Sequence, residues 1–495
     1  MSSVADKHPP IIWYLAIVSA LMSIPFGVIN SLLVLYLQQV MHVDPHAQYA
    51  LFSAYNALLF ILPLVGGFTA GRFGYKKALI FATFLCVSGT LVLTIPTMRS
   101  MTWGLSLFAT GISMYVPTYL VLVGKIYTRE DARRESGYTL VYVISNMGFL
   151  LSAFLGGYIQ RYFSFGAAFV TGGLFMALLF FSFPWMLHRI KCVNGNPIPA
   201  LSKSPEWRKA FWIVLIMSMM LPICDWLLNH AQLSNNLLLG LVVIEIIGVL
   251  IMAFFQPTRR DRLRLLAFLI LSVTSMGFWA LYILEPSLLT MFIQSNVNRN
   301  LGGLDIPPSV FYGLDPFFII LLGSLFSVLW IKLHRARKDP SLPTKFTLSL
   351  LAMAIGMAIF AFSIVATGFD VKVSLWWVVL GYFFLTTGEL LISPIGQAMV
   401  GKLVPVGQEG LMMGVWQTFV GMSAAVADYF AETASVPEKS TYVQSSHIYF
   451  KTFVVITVVT LILTGISWLI APFVKKAIGQ SHSAHEQDHM ECPSV

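Results

Sequence analysis

Glu389 stands in the stretch "LTTGELLISPIGQAM", Leu385 to Met399, and the run before it, "VSLWWVVLGYFFLTTG", has no charged residue upstream of it. A carboxylate there has three uses. It can receive a cationic ligand group, carry a proton, or, as the neutral acid, hydrogen-bond a neighbouring helix. A charge deep in a bilayer costs about 2.5 kcal/mol or more, so it normally faces a partner or a watery cavity. Asp315 in "YGLDPFF" has the same options, and Pro316 after it interrupts local helix bonding. Its structural alternative is a helix-start cap. Asn146 can bond a peptide-like amide or clamp two helices. Trp416, Phe278 and Trp279 can line side-chain pockets or simply pack. Asp428 and Glu432 are expected close to the outer surface, where solvation is the default. Glu285 falls at a helix in the second half of the chain. Asp225 and Glu245 fall in an inserted helix pair and are weak site candidates.

The elements that position these groups are transmembrane helices. Hydrophobic residues make up 57% of the 495 and charged residues 11%, against about 25% charged in a soluble domain. Spanning a bilayer takes about 20 apolar residues. Fourteen such segments are expected, with ends uncertain by a few residues: 11–40, 48–71, 78–97, 101–126, 138–160 and 164–187, then 208–229 and 233–256, then 264–284, 308–333, 346–368, 374–400, 409–431 and 448–474. This gives an all-α integral membrane protein with an N-terminal bundle at 1–190, a linker and inserted pair at 191–260, a C-terminal bundle at 261–476, and a polar tail at 477–495.

Basic residues cluster in alternate loops: "GRFGYKK", "KIYTREDARRE", "HRIKC", "EWRK", "TRRDRLR", "KLHRARK" and a final "KK", whereas "VDPHAQ" has none and "ATGFDVK" one. The positive-inside rule places both termini in the cytoplasm. The net charge of +9 then faces anionic lipid and needs no nucleic acid. "MSSVADKHPP" is too polar to begin a signal peptide. Four scattered cysteines form no disulfide or metal pattern, and no P-loop, GxGxxG or HExxH occurs. No catalytic residue, metal or cofactor is expected, and the enzyme reading is set aside.

"GGFTAGRFGYKK" resembles the major facilitator loop between the second and third helices, with Gly71 where that motif has Asp. "GELLISPIGQAMVGKLVPVGQEGLMMGVWQ" resembles the tenth and eleventh helices of the proton-dependent oligopeptide transporter (peptide transporter, PTR2) family. The match runs through Gly388, Glu389, Leu390, Ser393, Pro394, Gly396, Lys402, Leu403, Pro405, Gly410, Met412, Gly414 and Trp416. "YVISNMGFLLSAFLGGYI" is similar to the fifth helix through Tyr142, Asn146 and Gly148, and "FWALYILEPSLLTMF" to the seventh. The resemblance implies the major facilitator fold, two six-helix bundles plus the inserted pair, rocking around a midplane site.

The resemblance implies a monomeric transporter of di- or tripeptides or peptide-like amine-bearing compounds, in the bacterial inner membrane. Proton coupling is the family's habit, and the counterpart of Glu389 receives the substrate's α-ammonium. The departures are specific. Aligned on Leu33 to Leu37, the family's Glu-x-x-Glu-Arg falls on Ser19, Met22 and Ser23, its later arginine on Asn30, its fourth-helix lysine on Val116, its second-helix tyrosine near Phe60 and its seventh-helix glutamate on Ile283. Asp315 takes the place of a family asparagine that contacts the peptide. The expected substrate set is Glu389, Asn146, Asp315, Asn30, Tyr55, Trp416, Trp279 and Ser393, with Glu389 or Asp315 as proton carrier. Two rivals stay open: a facilitator or exporter of a cationic or amine metabolite, and a receptor that binds without transporting.

Overall fold

The computed structural model describes residues 8–73, 75–126, 133–189, 192–193, 196–197, 207–336, 338, 340–404, 409–432, 435–437 and 440–479. The tail past 479, most of the linker at 190–206 and Pro405 lie outside the described residues, as do the side chains of Gly71, Lys125, Pro394, Lys402, Gly410 and Glu432. The chain folds into two compact units. One comprises Met1–Ser234, Glu285–Gln294 and Arg299–Ile320; the other comprises Asn235–Leu284, Ser295–Asn298 and Leu321–Val495.

The first unit holds α1 (Pro10–Gln39), α2 (Pro45–Ile61), α3 (Pro63–Phe73), α4 (Tyr75–Val92), α5 (Met98–Ile126), α6 (Arg133–Tyr162), α7 (Phe165–Arg189) and the inserted α8 (Trp207–Asn229). Helix is what an apolar run in lipid must adopt, since it alone satisfies every backbone group within the segment. The second expected segment is broken at Leu62 because Pro63 cannot donate the next helical bond. Asp44 caps α2 by accepting from His46 N at 2.9 Å, with Pro45 in the first turn.

Small residues set the helix spacing. A side chain at Gly148 would place its Cβ 2.2 Å from the Ala20 carbonyl oxygen, so α1 and α6 touch backbone to backbone. Ser23 Oγ and Ser145 Oγ, 2.8 Å apart, bond the same two helices. The glycine pairs of "FLGGYI" and "GGLF" also lie at helix contacts: Gly156 against Val28 and Leu32, Gly172 against Pro25. Helix α8 is tied down by Thr102 Oγ1 donating to Asp225 Oδ1 at 2.6 Å, and Asp225 is thereby a structural group.

A hairpin of β4 (Asn300–Leu301) and β5 (Leu304–Asp305) turns through Gly302 and Gly303, both at positive φ; three strand pieces of the same length, β1 (Cys192–Val193), β2 (Asn196–Pro197) and β3 (Val297–Asn298), precede it. Asp305 sits between two guanidiniums, with Oδ2 2.8 Å from Arg161 and Oδ1 3.4 Å from Arg299. Burial pulls the Arg299 guanidinium below its ordinary value, and Asp305 opposes that pull.

The second unit holds the inserted α9 (Ala231–Phe254), α10 (Arg259–Ile283), α13 (Leu342–Thr367), α14 (Leu375–Leu403), α15 (Glu409–Glu432) and α16 (Tyr442–Gly479). The ninth segment outruns its expected end at 284. The chain stays helical through a π-turn (Glu285–Leu289) and α11 (Thr290–Asn296), and a 3-10 turn (Pro308–Gly313) leads into α12 (Leu314–Arg335); Glu285–Gln294 and Arg299–Ile320 belong to the first unit. Strand β3 pairs in parallel with β6 (Val373–Ser374). Buried Asn296 binds the start of α16, donating to Ser446 Oγ at 2.9 Å and accepting from Ser445 Oγ at 2.7 Å. Asp428 is not at a solvated surface: it is 3% exposed, and Asn235 Nδ2 donates to its Oδ2 at 2.9 Å. Thr418 Oγ1 donates to Glu245 Oε1. Both acids therefore hold α9 to α15.

Two outcomes follow. Gly148→Val is expected to force α1 from α6 and to lower the thermal midpoint in detergent, since overpacking costs about 1–3 kcal/mol; an unchanged midpoint contradicts the contact. Asp305→Asn is expected to lower it by about 2 °C, the scale of a half-exposed ion pair, and Asp305→Glu by less, as read by differential scanning fluorimetry.

Candidate substrate site

Glu389 lies near the middle of α14 and is 5% exposed. The preceding residue explains its placement. A Cβ on Gly388 would lie 2.9 Å from the Ser349 carbonyl oxygen and 3.0 Å from the Phe278 ring, so α14 lies flush against α13 and α10 at that turn. Ser393 follows Glu389 by four residues and Gly396 by seven, which puts all three on one helical stripe. Trp416 of α15 packs its ring over Gly396, where a Cβ would come 2.3 Å from it, and meets Phe346 edge-on at 6.4 Å. The second unit thus brings Glu389, Ser393 and Trp416 together: an acid, a hydroxyl and an indole within two turns of one helix.

Trp279 stands one residue after Phe278, whose ring touches α14. It packs edge-on against Phe278 and Tyr282, both at 5.4 Å. Its Nε1 is buried and has no hydrogen-bond acceptor among the described residues. An indole N–H normally finds a partner when buried, so Trp279 has donor capacity left over.

The remaining candidates lie in the first unit. Asn30 and Asn146 are buried and bond their own helices, Asn30 Nδ2 to Phe26 O at 3.1 Å and Asn146 Nδ2 to Tyr142 O at 3.0 Å. Among the described residues, the interhelical bond at this level is that of Ser145 with Ser23. Ser23, the partner of Ser145, precedes Asn30 by seven residues, about 10 Å along α1, so the two amides sit at different heights. Tyr55 is wholly buried beside Cys86, and its hydroxyl has no partner among the described residues. Asp315 is 4% exposed in the first turn of α12, where the helix dipole favours an acid.

One acid outside the expected set shares its surroundings. Glu285 opens the π-turn and is 1% exposed, and that turn packs against the 3-10 turn that precedes Asp315. Its signal in the sequence is the Glu-Pro step of "LEPSL" inside an apolar run.

With this geometry in place, the comparisons are direct. Dipeptide and tripeptide permease B of Yersinia enterocolitica is 27% identical over 468 residues, covering 92% of each chain. The permease of the same name from Salmonella typhimurium is 28% identical over 463 residues, again with 92% of each covered. A solved peptide transporter POT in complex with sulfate has the same fold, with a TM-score of 0.82 at 24% identity over 95% of this chain and 96% of that one. The fold is accordingly the major facilitator fold, in an all-α integral membrane protein. The sequence matches the POT family from residue 76 to residue 456, well over half its length, and the chain belongs to that family of peptide transporters.

Proposed function

We propose that this chain is a secondary transporter of di- and tripeptides, or of peptide-like amine-bearing compounds, working by alternating access and coupled to protons. Residues 1–190 and 261–476 are the moving bundles in this reading, both termini are cytoplasmic, and the protein acts as a monomer in the bacterial inner membrane. The observation that carries it is the buried carboxylate of Glu389, on one helical stripe with Ser393 in a family-matching helix against which Trp416 of α15 packs. A substrate ammonium is the natural counter-charge for an acid at that depth. The relatives' name, dipeptide and tripeptide permease, supports the substrate class. So does a solved POT family transporter in complex with 5-aminolevulinic acid, which has a TM-score of 0.81 at 22% identity over 94% of this chain and 97% of that one.

The pole that would hold a peptide's carboxylate differs here. Ser23 and Asn30 are neutral, and both already bond within the first unit. Stripping a carboxylate of water without a charged partner is expensive. Recognition in this reading rests on the amine.

Glu389→Gln is expected to keep the fold and weaken binding of free-amine ligands about tenfold or more, since charge-assisted hydrogen bonds contribute about 1.5–3 kcal/mol. Isothermal titration checks this, and equal affinity for every such ligand sinks the assignment. Competition among free, amidated and N-acetylated forms of one dipeptide tests the one-sided recognition. The amide is expected to bind as well as or better than the free acid, and the acetylated form not at all. A strong preference for the free carboxylate would reveal a positive pole. Uptake into proteoliposomes separates a transporter, which accumulates substrate, from a receptor, which only binds it.

A further inference from the structure

Part of the sequence assigned above to the 261–476 bundle is seated in the first unit. Helix α10 lies in the second unit as far as Leu284, but Glu285–Gln294 and Arg299–Ile320 lie in the first. These two stretches hold the π-turn, α11 up to Gln294, the β4–β5 hairpin, the 3-10 turn and the start of α12. The π-turn packs on α1, and the 3-10 turn packs on both α1 and α6.

The seat is close and smooth. A Cβ on Gly157 of α6 would lie 2.6 Å from Val310 Cγ2 and 2.8 Å from Ser309 Oγ. A Cβ on Gly313 would lie 3.0 Å from that of Ala153. Two polar ties flank these contacts. Gln294 Nε2 donates to Gln38 Oε1 of α1 at 3.3 Å. Arg161, at the end of α6, donates from Nη1 to Asp305 Oδ2 at 2.8 Å and also to the Asp305 carbonyl oxygen. Arg299 reaches the other carboxylate oxygen, Oδ1, at 3.4 Å.

Two features suit a joint that opens. Ser309 Oγ, Gln294 Oε1 and Arg299 Nε are buried and have no hydrogen-bond partner among the described residues. A buried polar atom left without a partner calls for an explanation. At a joint that parts, water reaches such atoms in the open state. The second feature is the ion pair. The Arg161 and Asp305 side chains are 36% and 39% exposed, so water and salt weaken their attraction. A weak pair can break and re-form in every cycle, and the glycine contacts have no bond to break.

The transporter reading gives the opening a purpose. The distribution of basic loops places the end of α6 and the hairpin on the outer side. Alternating access requires residues 1–190 and 261–476 to part there in one half of the cycle. We propose that residues 285–294 and 299–313 are an outer strap and that Asp305 is its latch, holding Arg161 while the outer side is shut and releasing it when the bundles part. The proposal rests on the transporter reading. The family resemblance assigns no role to Arg161, Arg299 or Asp305.

A distance measurement tests the latch without transport. Nitroxides are placed at Phe163→Cys and Lys372→Cys in a Cys192→Ser/Cys492→Ser parent, since Cys86 and Cys224 are buried, and are read by double electron–electron resonance. Asp305→Asn is expected to raise the fraction of longer distances at least threefold over the labelled parent, and Asp305→Glu to raise it less. A distribution that Asp305→Asn leaves unchanged overturns the latch. A brace that only stiffened the hairpin would not move Lys372, which lies outside the strap. Where Asp305→Asn does not fold, Arg161→Gln decides by the same measure.

Transport supplies the second arm. Arg161→Cys/Asp305→Cys is bridged by a short bis-methanethiosulfonate, which a thiol reverses, and uptake of radiolabelled dialanine into proteoliposomes is followed. Bridging is expected to lower uptake at least tenfold, and the thiol to restore it. Equal uptake with the bridge in place overturns the strap as a moving part. Where wild type takes up dialanine and the unbridged double variant does not, Gln38→Cys/Gln294→Cys bridged in the same way decides. Absence of uptake by wild type counts against the transporter reading, and the distance measurement then decides the latch alone.

Discussion

Lipid offers no hydrogen bonds, and every polar group in the hydrocarbon must therefore be answered by the chain, by a ligand or by a proton. This constraint sorts the acids of the molecule. Asp225 accepts from Thr102, Glu245 from Thr418 and Asp428 from Asn235, each across a helix contact. These three hold helices together. Asp305 meets two arginines at the edge of the first unit. Glu389, Glu285 and Asp315 are buried as well, and in the proposed reading Glu389 is the one that meets a substrate amine.

The same constraint explains the helix contacts. Between apolar helices in lipid there is little hydrophobic gain on association, so close packing and short polar bonds must supply the attraction. Gly148 against Ala20 and Gly388 against Ser349 give the close approach. Ser23 with Ser145 and Thr347 with Ser467, at 2.6 Å, give the bonds. The glycine before Glu389 therefore serves packing and site at once, because it sets the depth at which α14 lies and so where the carboxylate is held.

The spans were legible because hydropathy is the property the bilayer selects: each of the fourteen apolar runs contains helix, interrupted at Leu62 in the second, ended early at Val92 in the third and begun by a 3-10 turn in the tenth. The ends were less legible. A Pro in the sequence disfavours helix, and "LEPSL" reads as the end of the ninth span, yet the chain stays helical through a π-turn to Asn296. Glu389 could be found from its charge alone, and its stripe with Ser393 from helical spacing. The bonding of Asn30 and Asn146 to their own helices could not, because sequence does not specify which acceptor a side-chain amide chooses. Asp428 was misjudged because its partner, Asn235, is remote in sequence and lies in the inserted pair.

That inserted pair has a practical consequence. The outer face of α9, with Leu241, Ile244, Ile247, Ile251 and Phe254, is exposed, and polar bonds from Asn235, Asn236 and Glu245 attach the helix to α15. Such bonds are strong only while water is kept away from them. The choice of detergent during extraction thus acts on this helix first. A short-chain micelle that wets the α9–α15 seam replaces each bond with a hydrated group and frees the helix, whereas a thick, well-ordered belt keeps the seam dry and the helix seated.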